Sequence, residues 1–76
     1  MKPYNIIKAT DTIFHRCTSI CGTYHGSSWL FDKVVRYFEA EPAAESITFP
    51  VMVSSPVLKP GEATIHRDGS FEMRTI

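Results

Sequence analysis

Residues 27–41, SSWLFDKVVRYFEAE, restrict the fold of this chain more than any other stretch, because pattern, start signal and stop signal agree there. Spaced about 100° apart, as on a helix, Tyr37, Leu30, Val34, Phe38, Phe31 and Val35 fall in one arc of roughly 160°. Glu39, Asp32, Arg36 and Lys33 fill the opposite side, with Asp32 and Arg36 spaced to form an i,i+4 ion pair. A hydroxyl of Ser27 or Ser28 suits the first free amides, and Pro42 disfavours helical geometry at Glu41. The spacing therefore predicts an amphipathic helix. Each buried side chain of that size contributes about 1.5–3 kcal/mol before entropy is subtracted, so the helix carries much of the driving force in a chain of 76 residues. Trp29 breaks the pattern by projecting onto the polar side between Arg36 and Lys33. It either folds over the first turn or serves as an aromatic anchor for a partner.

The remaining segments are weaker. YNIIKA at 4–9 is a short β-prone run and reads as a strand. For residues 12–21, strand composition conflicts with helical period. Ile20, Ile13, Cys17, Cys21 and Phe14 gather in a helical arc of roughly 120°, Asp11 suits an N-cap and Gly22 a C-terminal stop, so a second helix is expected. SITFPVMV at 46–53 alternates as a strand, with Pro50 pushing it to a sheet edge or a bulge. SSPVLKPG at 54–61 reads as a loop.

The segment at 62–76, EATIHRDGSFEMRTI, predicts a hairpin whose register can be derived. A two-residue Asp68-Gly69 turn would set Ile65 opposite Glu72, mixing polar with apolar. A three-residue loop, Arg67-Asp68-Gly69, sets Ile65 opposite Phe71 and Ala63 opposite Met73. It also sets Glu62 opposite Arg74 and Thr64 opposite Glu72 on the other face. A slip by one residue exchanges the faces, which favours the three-residue loop. The expected architecture is a single α+β domain in the order β-α-α-β-β-β, with two helices on one face of a small antiparallel sheet.

Lys+Arg and Asp+Glu number 8 each, so the basic excess that accompanies phosphate binding is missing and nucleic acid is a disfavoured partner. The opening MKPYNIIKATD holds no long apolar run, which gives an expectation of no membrane span and a cytoplasmic location. Cys17 and Cys21 then read as reduced thiols. With flanking His15 and His25 they spell H-x-C-x3-C-x3-H, a weak metal candidate, since structural zinc sites more often pair two separated C-x2-4-C or H-x3-5-H units. A thiol nucleophile would need a positioned base, an orienting third group and an oxyanion pocket, and no pattern here supplies them.

These observations give the expectation of a non-catalytic, cofactor-free regulator, adaptor or inhibitor, of the size class found among phage and mobile-element proteins. It would bind another protein, with a second copy of itself as one such partner, through an aromatic patch or a sheet edge. Trp29, Lys33, Arg36, Pro50 and Arg67 are the candidate contact residues. A winged-helix-like nucleic-acid regulator and a zinc-stabilised module are the alternatives.

Overall fold

The computed structural model describes residues 3–20, 27–54 and 57–76. Two helices and a four-stranded antiparallel sheet form an α+β fold, with helix α1 (Pro3–Arg16), strand β1 (Cys17–Ile20), helix α2 (Ser27–Ala40) and strands β2 (Ser46–Ser54), β3 (Leu58–His66) and β4 (Phe71–Thr75). The sheet order is β1-β2-β3-β4. The fold class is as expected, but the first described element is a helix, and β1 stands between the two helices.

That exchange has a readable cause. Residues 4–9, expected as a strand, and 12–16, the first half of the segment 12–21 expected as a helix, belong to one longer helix that ends at Arg16. Its buried stripe is Ile6, Ala9, Thr10 and Ile13, at 0 %, 1 %, 1 % and 0 % exposure. The i, i+3, i+4, i+7 spacing is complete only when Thr10 is counted as apolar. Its hydroxyl allows that, because it donates back to the carbonyls of Ile6 and Ile7 at 3.0 Å each and leaves only its methyl to pack. Asp11, expected as an N-cap, is an exposed mid-helix residue. His15 and Arg16 place basic side chains in the last turn, where they favour termination. The following CTSI then pairs with β2, its β-prone residues gaining ladder partners that another helical turn would lack.

α2 keeps its expected form, with Leu30, Val34 and Phe38 buried, Phe31 and Val35 half-buried, and Tyr37 at the rim. Asp32 and Arg36 make the anticipated ion pair at 3.0 Å. On the sheet, Phe49, Val51, Ala63 and Ile65 face the helices and are buried with the α1 and α2 stripes in one core, to which Ile20 of β1 also belongs. The outer sheet face carries Thr48 against Thr64, Glu62 against Arg74 and His66 against Glu72.

The hairpin has the derived register, with Ile65 opposite Phe71, Ala63 opposite Met73, Thr64 opposite Glu72 and Glu62 opposite Arg74. Gly69 closes the turn at φ 96°, a conformation that disfavours any side chain. β3 begins at Leu58, so part of the stretch expected as a loop is strand paired with the end of β2.

The His66 N–H donates to the Ser70 carbonyl at 2.8 Å, and the Ile76 N–H to the Pro60 carbonyl at 3.0 Å. With the register, this phase turns the main-chain groups of Glu72 and Arg74 toward β3, and those of Phe71, Met73 and Thr75 outward from the sheet. Carried across β3, the same alternation turns Thr48 and Pro50 away from β3, toward the β1 side. β2 is therefore an inner strand only where β1 covers it, from Val51 to Val53. Pro50 sits just past that segment with its donorless nitrogen turned away from β3, and the bulge lies in β1, between Cys17 and Ser19.

Candidate functional site

α2 leans over the first half of β2 and leaves an apolar groove between them, with a volume of about 430 Å³. Leu30 and Val34 form its floor from the helix and Phe49 from the strand, all three buried. Trp29, Lys33, Tyr37 and Ile47 form the rim. The helix delivers its share because 30, 33, 34 and 37 recur at helical spacing along one flank of α2. The strand delivers Ile47 and Phe49 because alternate residues share a face.

Trp29 is half-buried against the core, and the Lys33 ammonium stands 5.9 Å from its ring centroid. That distance lies within the reach of a cation–π contact, which helps hold the indole at the groove mouth. Tyr37 is 38 % exposed and meets Phe38 edge to face, with centroids 5.7 Å apart. The groove thus offers apolar walls, one phenol and one cation. Such a surface suits recognition of an apolar side chain, and among its described lining residues no acid–base or nucleophile–base pair is found.

Of the five candidate contact residues, Trp29 and Lys33 meet here. Arg36 remains on the polar side of α2, tied to Asp32. Pro50 is exposed on the far face of the sheet, opposite Glu62. Arg67 is committed to the fold. Its Nε donates to the Ala44 carbonyl at 2.8 Å and its Nη2 to the carbonyls of Glu41 at 2.9 Å and Phe38 at 3.4 Å, while the guanidinium lies 4.7 Å from the Phe38 ring centroid. α2 has no basic residue in its own last turn, so the hairpin supplies the cation that its terminal carbonyls favour. Tyr37 and Ile47 complete the rim and were not singled out by sequence. Tyr37 lies at one edge of the helical arc, and only the α2–β2 packing shows which edge is left open.

The histidine–cysteine candidates separate. Cys21 and His25 lie outside the described residues. His15 is exposed in the last turn of α1, its Nδ1 2.7 Å from the Asp11 carbonyl oxygen. Cys17 is a free thiol in β1, with its pKa raised by burial, which keeps it protonated at neutral pH and weak as a nucleophile or ligand. Among the described residues, no three His, Cys, Asp or Glu side chains converge to hold a metal ion. Among them, no helix is long and apolar enough to cross a membrane. The winged-helix arrangement of consecutive helices is not observed, since β1 intervenes.

Comparison with protein-family models, with curated proteins and with solved structures finds no match to this chain.

Proposed function

We propose that this is a non-catalytic, cytoplasmic protein-binding regulator, adaptor or inhibitor whose contact surface is the α2–β2 groove. The observation that carries this reading is the groove itself, about 430 Å³ of mostly apolar space rimmed by Trp29, Lys33, Tyr37 and Ile47. Trp and Tyr are the side chains enriched at the centres of protein interfaces, and Lys33 adds a charge at the rim. The partner is a protein that inserts an apolar or aromatic side chain between Trp29 and Tyr37, with a carboxylate near Lys33. Formal neutrality of the whole chain supports a protein partner over a nucleic acid.

The test is affinity capture from the native host by the tagged wild-type protein, in parallel with Tyr37→Ala and Lys33→Glu. Both positions are exposed enough for the fold to persist, which circular dichroism checks. A protein retained by the wild type, released by both variants and re-bound in purified form supports the reading. Capture that is indifferent to both substitutions, or no capture at all, overturns it. Trp29→Ala is a poorer probe, because the half-buried indole also packs on the core and its loss lowers stability by about 1–2 kcal/mol.

A further inference from the structure

We infer that the free edge of β4 pairs with β4 of a second copy, in an antiparallel arrangement centred on Met73, to join two sheets into one of eight strands. This surface is separate from the α2–β2 groove and stands whether or not the groove binds a partner.

β4 ends the sheet, and among the described residues no strand lies on its outer side. The phase of the hairpin turns the N–H and C=O groups of Phe71, Met73 and Thr75 outward. Those of Glu72 and Arg74 are used by β3. An edge of this kind is usually blunted by proline, by charged side chains (lysine above all) or by a bulge, and the charges of β4 are of opposite sign. FEMRT contains no proline or lysine, and its pairing with β3 is regular.

What selects a second copy is the order of charges along the strand. In a twofold pair centred on Met73, Met73 faces Met73, Phe71 faces Thr75, and the outward groups of these residues form the ladder. Glu72 of each copy then faces Arg74 of the other at the closer, non-hydrogen-bonded spacing. Moving the centre by one residue puts Glu72 against Glu72 or Arg74 against Arg74, which is unfavourable. The sequence E-M-R is therefore complementary to itself in one register. Both side chains stand on the solvent face of the sheet at 76 % and 78 % exposure, Glu72 with His66 Nε2 3.1 Å from one carboxylate oxygen. Arg74 already holds Glu62 at 2.6 Å, so the arriving Glu72 extends an existing ion pair into a network.

The helix layer leaves room. A twofold axis perpendicular to the sheet keeps both helix layers on the same side, and α1 packs over β3, one strand in from the edge. Two α1 helices placed over the two β3 strands stand about 14 Å apart, three strand spacings, which exceeds the about 8–10 Å of packed helices. An interface of two five-residue strands is smaller than the standard stable contact, so the dimer should dissociate on dilution.

The experiment is sedimentation velocity across a dilution series for the wild type, Glu72→Arg, Arg74→Glu, and an equimolar mixture of the two variants, with thermal melts alongside. Each variant alone sets like charges opposite each other twice, and the mixture restores opposite charges at every pair. The expected result is a concentration-dependent wild-type dimer, each single variant weaker by roughly tenfold or more, and recovery on mixing. Met73→Pro removes a donor that β3 does not use, and it should abolish the dimer while the fold survives; this variant with Glu72→Arg decides the matter if Arg74→Glu, which also loses Glu62, fails to fold. A wild type that stays monomeric at every concentration overturns the inference. So does a dimer that Glu72→Arg and Met73→Pro leave intact.

Discussion

The two sides of the sheet end in different ways. On the β1 side, a four-residue strand with a bulge covers only Val51–Val53, and Pro50 removes a donor where that cover stops. On the β4 side the strand is regular and its outward amides are intact, but the turn leading into it is fastened at two points. Arg67 holds the end of α2, and Asn5 of α1 donates to the Asp68 carbonyl at 3.2 Å. One side is blunted by chemistry and the other is held in place by contacts with both helices. A strand that cannot shift can keep a usable edge, whereas a short, loosely paired one is safer capped.

The fastening is where substitution should cost most. A Cβ added at Gly69 would run into the Asn5 Cβ, and the backbone there has φ +96°. Gly69→Ala is expected to lower stability by about 2–4 kcal/mol, measured by urea denaturation. A loss below about 1 kcal/mol would mean that the turn is not seated against α1. Next comes Arg67→Ala, expected to cost about 2–3 kcal/mol by leaving the carbonyls at the end of α2 without their cation. Arg67→Lys should recover only part of it, since an ammonium cannot reproduce the planar fork.

On the blunted side the expected changes are smaller. Pro50→Thr returns an N–H that points away from β3, so stability should move by no more than about 1 kcal/mol. Light scattering should instead show new association at high concentration. If Pro50→Thr stays as dispersed as the wild type, proline is not what protects this edge.

The smallest effect concerns acid. Asp68 accepts from the Ser70 amide at 2.9 Å and from the Ser70 hydroxyl at 2.7 Å, and these bonds to the charged form hold its pKa below the ordinary carboxyl value. A depressed folded-state value stabilises the turn above the unfolded pKa and loses that contribution as pH falls through the folded one. Asp68→Asn should therefore flatten a small part of the acid limb of a stability–pH curve and leave the neutral region nearly level. An unchanged acid limb would remove Asp68 from the turn's support.

The same contrast explains what could be read from sequence. The hairpin was legible to the residue, because alternate faces and an Asp-Gly turn specify register locally. α2 was legible because its stripe consists of large apolar residues. The first twenty residues were not. Thr10 conceals the helical stripe of α1, and Cys17–Ile20 is a strand only because Val51–Val53 lies beside it, a pairing over more than thirty residues that no local pattern announces. Half of the groove was visible as Trp29 and Lys33 on the helix, while Ile47 joins them through packing alone. Arg67 looked like a surface cation because nothing in HRDGS hints at α2.

The hydrogen bond from Asn5 to Asp68 spans 63 positions. To make it, almost the whole polypeptide must be drawn into a ring, and the entropy of closing that ring is lost before the contact returns anything. Refolding is thus expected to be gated by the late seating of the Arg67–Gly69 turn. Severing the backbone at 55–56 and adding the hairpin back as a separate peptide should slow recovery in proportion to dilution, because a step internal to one molecule would have become a meeting of two.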